Sequence, residues 1–173
     1  MSGNELVLVD QAIDEEQRNR DTPLRGDKAF EYFACEQVLR DYELSPEEIE
    51  DGVVGAGQDG AIDGIYVFLG SILLTEDSDL LGDDFVPTNY ERGLKLSLEL
   101  VQAKRETSFT ETAIDLASSS LGRLLELTQD DSALLRLYSQ EVVKRLRMFK
   151  TAWQRLSTRK PEPCHKFYIC NSR

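Results

Sequence analysis

Three polar residues near the middle of the chain have types and spacings that could support metal-dependent phosphate chemistry. Asp63 comes just after the glycine-rich turn "GAGQDG" and precedes the apolar stretch "GIYVFL", while Gln102 and Lys104 end the alternating stretch "LKLSLELVQAK". Residues two apart on a strand point to the same face, so Gln102 and Lys104 share one face. If the two strands are neighbours, Asp63 can meet both side chains.

Hydrolysis of a phosphodiester by a metal route needs hard oxygen ligands, a polarised water and a cation near the developing negative charge. We expect Asp63 to be the main carboxylate ligand of Mg²⁺ or Mn²⁺, with the carbonyl of Ala103 and the side-chain carbonyl of Gln102 as further ligands. Gln102 is a weaker ligand than a carboxylate because it carries no charge. Lys104 would orient the water and stabilise charge. Asp59 has two open interpretations, a turn residue or an outer metal ligand.

The stretch "DGAIDG" followed by "VQAK" resembles the D…(E/Q)xK signature of the PD-(D/E)XK nuclease superfamily, in its Mrr-like and related branches. Glutamine stands here where glutamate is more common. Residues 27–105 are also similar, at the level of motifs, to the N-terminal nuclease-like domain of AIPR-type abortive-infection phage-resistance proteins. The resemblance implies a restriction-endonuclease-like core (α-β-β-β-α-β), a divalent metal, nucleic acid as the substrate with DNA expected first, and a role in phage defence or restriction.

The same resemblance implies a further acid from the first core helix, for which Glu31 and Glu36 are the candidates. Counted from Phe30 at about 100° per residue, Glu31 lies at about 100°, beside Val38 at about 80°, and Glu36 lies at about 240°. Glu31 therefore borders the apolar stripe that faces the sheet, and Glu36 does not. We expect Glu31 to complete the site.

The elements that must position these residues follow from periodicity and turn chemistry. "DKAFEYFACEQVLRDY" predicts a helix with Asp27 as its N-cap, and Ser45, Pro46 and Glu48 predict a second, short helix with a capping box. No helix or strand is predicted over residues 1–26.

The second half of the chain predicts strands, then helices, then a last strand. "AIDGIYVFLGSILLT" reads as two strands broken near Gly70, and residues 94–104 as a half-buried strand with leucines on one side and polar residues on the other. Helices are predicted over 108–127, capped by Ser108 or Thr110, and over 130–157, followed by a strand at 165–170. This order predicts an α/β fold with a mixed sheet flanked by helices.

The bulk properties fit one globular domain over residues 1–173, which we expect to be the N-terminal part of a longer protein. No apolar run is long enough to span a bilayer, and three cysteines without CxxC spacing predict reduced thiols in a cytoplasmic protein. Further C-terminal domains and a second copy of the chain are the expected protein partners. No membrane partner is expected.

Charge is unevenly distributed along the chain. The net charge is −12, which argues against a general polyanion binder because phosphate contacts need lysine and arginine. Residues 144–160 nevertheless carry seven cations and no acid. Two interpretations are open: a solvated helix face, or a source of phosphate contacts.

Three functions remain open from the sequence. The first is an Mg²⁺-dependent nuclease domain. The second is a catalytically inactive PD-(D/E)XK-fold module that binds nucleic acid or protein in the same kind of system. The third is a scaffold whose acids have no chemical role. Metal binding distinguishes the first from the other two, and metal-independent DNA binding distinguishes the second from the third.

Overall fold

The computed structural model describes residues 4–54, 62–104 and 130–171, together with positions 119, 122, 123 and 126. The helices whose residues are all described are α1 (Asn4–Arg18), α2 (Asp27–Leu39), α3 (Pro46–Gly52), α4 (Asp131–Leu134) and α5 (Gln140–Leu156). The strands are β1 (Gly64–Leu69), β2 (Ile72–Leu73), β3 (Lys95–Lys104) and β4 (Glu162–Asn171). Asp59 and most of the helix predicted over 108–127, including both candidate caps, lie outside the described residues.

The four strands form one mixed sheet in the order β2-β1-β3-β4. β1 pairs antiparallel with both β2 and β3, and β3 pairs parallel with β4. Residues of α5 pack in the core on one side of the sheet, and residues of α2 pack on the other. The predicted α/β class, with a mixed sheet flanked by helices, is confirmed.

β3 is buried on both faces, so the prediction of a half-buried strand is wrong. Leu96, Leu98 and Leu100 belong to the core that contains α5, while Val101 belongs to the core that contains α2. The residues between the leucines were expected on an open face, but Ser97 and Glu99 are fully buried. The alternation was real, but helices cover the polar side as well as the apolar side.

Glu99 is 0% exposed and is held by polar groups from two other elements. Its Oε1 atom accepts hydrogen bonds from the Tyr42 hydroxyl at 3.0 Å and from Lys166 Nζ at 3.0 Å. Lys166 lies directly opposite Glu99 on β4, and it also donates to the Tyr168 hydroxyl at 3.2 Å. The hydrogen bond to Glu99 raises the pKa of Lys166. The Lys166 side chain is 36% exposed, so the pair joins a fully buried carboxylate to a cation that reaches the surface.

The two helix starts predicted near α2 and α3 have different outcomes. The α3 capping box is confirmed: Ser45 Oγ accepts from the Glu48 amide at 3.3 Å, and a Glu48 oxygen accepts from the Ser45 amide at 2.8 Å. Asp27 is not the N-cap of α2. Gly26 holds that position with φ 60, without a side-chain cap, and Asp27 is the first helical residue. The left-handed backbone explains why glycine precedes the helix there.

Two further differences concern the helices. α1 was not predicted, and Ile13 on it packs against Ala29 and Phe30 of α2. The single helix predicted over 130–157 is two helices, because Ser139 Oγ accepts from the Val142 amide at 3.4 Å and starts α5 anew.

The buried carboxylate of Glu99 predicts a large effect of replacing Lys166. Replacing Lys166 with Met leaves the Glu99 carboxylate buried without its cation, and we expect the free energy of unfolding to fall by about 3 kcal/mol. Adding Glu99→Gln should recover most of that loss, since no charge is then buried. Urea unfolding measures both variants.

A pair with an exposed carboxylate provides the matched control. Lys144 bonds Glu76 at 2.9 Å, and its side chain is as accessible as that of Lys166, whereas Glu76 is exposed and Glu99 is fully buried. Lys144→Met should lower the free energy of unfolding by less than about 1 kcal/mol. Equal losses for Lys144→Met and Lys166→Met would show that burial does not strengthen the Glu99 pair.

A second prediction concerns pH and the contact between α1 and α2. Burial raises the pKa of Glu16 from 4.5 to about 7, the nearby Glu36 carboxylate adds to the rise, and Arg20 opposes it. Between pH 4.5 and about 7 the folded chain therefore holds a proton that the unfolded chain has lost, so stability falls as the pH rises through this window. Glu16→Gln should flatten that decline in thermal melts. The exposed neighbour Glu15, changed to Gln, should leave the slope as it is in the wild type.

Candidate functional site

Asp63 lies where three segments meet, immediately before β1. Its amide donates to the carbonyl of Val101 on β3 at 2.8 Å, and its carbonyl accepts from the Val54 amide, just after α3, at 2.8 Å. Its side-chain Oδ2 accepts from the Ala103 amide at 2.7 Å. The backbone and the carboxylate of Asp63 are therefore both fixed against the end of β3.

The carboxylate of Asp63 occupies a place that a strand carbonyl would otherwise hold. The last β1–β3 pair is Gly64 with Val101, which brings Asp63 level with Gln102. Because the amide of a strand residue points in the plane of the sheet, the acceptor of the Ala103 amide lies close to that plane. A carboxylate in the plane of the sheet, at the end of a strand, can contact groups on either face.

Gln102 and Lys104 share a face, as the spacing predicted. Val101 and Ala103 pack among residues of α2, so alternation puts Gln102 and Lys104 on the opposite face, with the leucines of β3. Gln102 is 3% exposed, and its Oε1 has no hydrogen-bond partner in the part of the chain that the structure describes. Within that same part, no ion pair joins Lys104, which is half-buried, to Asp63.

Glu31 lies on the side of α2 that faces the start of β1. Cys35, one helical turn further on, is fully buried, and a Cβ built on Gly64 would lie 2.5 Å from its Sγ. Burial raises the pKa of the Cys35 thiol to about 12, and the charges of Asp63 and Glu31 contribute to the rise. Both carboxylates therefore lie close enough to Cys35 to act on it.

Glu36 lies in a different environment from Glu31. It acts electrostatically on Glu16 of α1 and on Tyr32, together with Arg20. Glu36 thus belongs to the contact between α1 and α2.

Asp63 lies beside residues 102–104. Glu31 lies at the same end of the sheet, on the face that α2 covers. Glu31 and the Gln102 side chain are therefore on opposite faces, and the Asp63 carboxylate lies near the plane between them. Among the described residues, no three His, Cys, Asp or Glu side chains form a group suited to a metal ion. The oxygen donors available here are two carboxylates, an amide oxygen and the Ala103 carbonyl.

Most cations of the basic segment 144–160 have bonding partners within the protein. Arg145 and Lys150 are buried, so the prediction of a solvated face is wrong for both. Other cations of the segment bond carboxylates or backbone carbonyls: Lys144 with Glu76, Arg147 with Asp131, Arg155 with the carbonyls of Leu80 and Gly82, and Arg159 with the carbonyl of Tyr90. Phosphate contacts by this segment would require many of these bonds to break.

The sequence reasoning missed Arg145 as an internal residue. It stands between Val142 and Phe149 at helical spacing, within a stripe whose other members are apolar. An arginine within an apolar stripe signals a buried cation with an internal partner, and that signal was readable in the sequence.

In the part of the chain that the structure describes, the fold is of the α/β class, with a four-stranded mixed sheet flanked by helices. Scans against models of protein families, against curated proteins and against solved structures found no match to this chain. The resemblance to PD-(D/E)XK nucleases therefore stays a prediction. None of the described helices combines the length and the apolarity needed to cross a membrane.

The bond from Ala103 predicts how Asp63 contributes to stability. Asp63→Ala removes the acceptor of the Ala103 amide, and we expect the free energy of unfolding to fall by about 1 kcal/mol. Asp63→Asn keeps a carbonyl oxygen in that place and should cost less. Urea unfolding of the three proteins measures the difference. An alanine variant more stable than the asparagine variant would contradict a stabilising role for this bond.

Proposed function

We propose that this chain is a metal-dependent nuclease domain that hydrolyses phosphodiester bonds of nucleic acid, with DNA as the first expected substrate, in a phage-defence or restriction system. The observation that carries the proposal is the 2.7 Å contact between the Asp63 carboxylate and the amide of Ala103, the residue between Gln102 and Lys104. This contact joins the two halves of the D…QxK pattern. The three free cysteines are compatible with the reducing cytoplasm that we propose as its location.

The donors at this place have the chemistry that Mg²⁺ prefers. Gln102 Oε1 is a buried acceptor without a donor among the described residues, and such an atom is costly unless it is satisfied. Mg²⁺ commonly uses one or two carboxylates and keeps several waters. Asp63, Gln102 and the Ala103 carbonyl would hold it, and Mn²⁺ could replace it.

A metal bound here would polarise a phosphoryl oxygen and lower the pKa of its water. The side chains of the protein supply the rest. Lys104 stabilises negative charge that develops on the phosphate. Glu31 adds a second carboxylate from the α2 face, and Asp63, near the plane of the sheet, is placed to act with groups on either face.

Two observations favour a second candidate, a catalytically inactive module of the same fold that binds nucleic acid or protein. Asp63 Oδ2 already accepts a backbone hydrogen bond, as a residue with a structural role at a strand end does. Glutamine at position 102 also leaves the site with one negative charge fewer than glutamate would give. In this candidate, Asp63 holds β1 to β3 and no metal is bound.

Activity assays with single- and double-stranded DNA and RNA test the proposal. Asp63→Asn should abolish cleavage in Mg²⁺ or Mn²⁺ while the protein keeps its wild-type melting temperature to within a few degrees, because the amide retains the hydrogen bond to Ala103. Lys104→Met should also abolish cleavage, since its ammonium acts on the phosphate and not on the core.

Position 102 distinguishes the two candidates. Gln102→Glu adds a carboxylate, and we expect about tenfold tighter Mn²⁺ binding by calorimetry if Asp63 and residue 102 share a metal. The same substitution in the Asp63→Asn background should give a much smaller gain. Absence of cleavage and of Mn²⁺ binding in both the wild type and Gln102→Glu would reject the nuclease and favour the inactive module.

A further inference from the structure

Arg145 is the most deeply buried cation in the part of the chain that the structure describes. It lies on α5, is 5% exposed, and is surrounded by core residues of the same helix. A buried guanidinium is costly unless its donors are satisfied. The partners of Arg145 therefore show which part of the main chain it holds in position.

The partners of Arg145 lie at the end of α3. Its Nη2 donates to the backbone carbonyl of Asp51 at 2.9 Å and also to the Asp51 carboxylate. The carboxylate itself is largely exposed. The contact to the carbonyl matters more for position, because it fixes the main chain at the last turn of α3.

The end of α3 is in turn attached to Asp63. Three residues after Asp51, the Val54 amide donates to the Asp63 carbonyl at 2.8 Å. α3 is also held from β1, where the Tyr66 hydroxyl donates to the carbonyl of Ile49 at 2.7 Å. A side chain at Gly52 would overlap the Tyr66 ring, so α3 lies directly on β1 and can shift little without moving it.

These contacts form a short chain from α5 to the candidate site: Arg145 to Asp51, Val54 to Asp63, and Asp63 to Ala103. Among the described residues, the side of β1 away from β3 is bridged near Gly64 by Val53 alone, because β2 pairs with the far end of β1. The Arg145 contact therefore supports the main chain that bonds Asp63 on the side away from β3.

We propose that Arg145 is a positioning residue, which fixes the main chain at Asp63 and so aims its carboxylate at the end of β3. Its role in chemistry rests on the proposed nuclease function. Its effect on the position of Asp63 does not, and the two can be measured separately.

The test uses the whole chain with Arg145→Met, which keeps a long apolar side chain, and with Arg145→Lys, which keeps a cation near the Asp51 carbonyl. Arg147→Met is the matched control, because Arg147 lies on the same helix, is exposed, and bonds Asp131 of α4 instead of the end of α3. Amide hydrogen exchange is read residue by residue by NMR, and Mn²⁺ affinity by calorimetry.

We expect the amides of Val54, Asp63 and Ala103 to exchange at least about tenfold faster in Arg145→Met, while the amides of Leu98 and Leu100 keep their wild-type rates. The exchange rates of these amides in Arg145→Lys should lie between those of the wild type and those of Arg145→Met. Mn²⁺ affinity should fall by about tenfold or more, as for other residues that support a ligand, and kcat should fall more than KM rises. Arg147→Met should change none of these.

Wild-type exchange at Val54, Asp63 and Ala103 in a folded Arg145→Met protein would overturn the proposal. If that variant does not fold, Arg145→Lys takes its place, since it keeps a cation near the Asp51 carbonyl and should speed exchange at the same three amides to a smaller degree. No change there would also overturn it. A wild type that neither binds Mn²⁺ nor cleaves nucleic acid refutes the nuclease function, and the exchange rates alone then decide the role of Arg145.

Discussion

The double-sided burial of β3 is the constraint on which the rest of the structure depends. Its backbone pairs with β1 on one edge and with β4 on the other, and helices cover both faces. Any polar side chain on this strand must therefore find an internal partner or remain unsatisfied. Glu99 finds Lys166 and Tyr42, and these bonds join β3 to its parallel neighbour and to the segment after α2.

The end of β3 is where that constraint relaxes. Residues from Leu96 to Gln102 are buried, whereas Ala103 and Lys104 are half-buried. Polar side chains can remain close to solvent at such a boundary and still be held by the buried strand behind them. At the candidate site, a rigid buried strand therefore meets a boundary that solvent can reach. Asp63 is brought there by the antiparallel pairing of β1 with β3.

The electrostatics of the chain differ from what its net charge suggests. Cations of α5 and of the turn after it bond acids and carbonyls of α3, α4 and the loop between β2 and β3. Helix α5 and the turn after it therefore link segments that are distant in sequence. Because these bonds satisfy much of its positive charge internally, a polyanion would meet a less basic surface than the sequence of 144–160 predicts.

Features that depend on neighbouring residues were readable from the sequence alone. Ser45, Pro46 and Glu48 determine the start of α3, since a capping box is complete within four residues. The turn between β1 and β2 at Gly70 and the alternation of β3 are equally local, and together they lead to an α/β fold with a mixed sheet. The spacing of Gln102 and Lys104 also determines that they share a face of the strand.

Only the tertiary structure decided which faces are covered and which distant groups meet. Ile13 becomes part of a helix that packs on Phe30, Glu99 is buried although it alternates with leucines, and Arg145 bonds a carbonyl that is 94 residues away. The bond from Ala103 to Asp63 belongs to the same class, because it exists only once β1 lies beside β3. Periodicity records which residues share a side of an element, but the burial of that side is set by the element that packs against it.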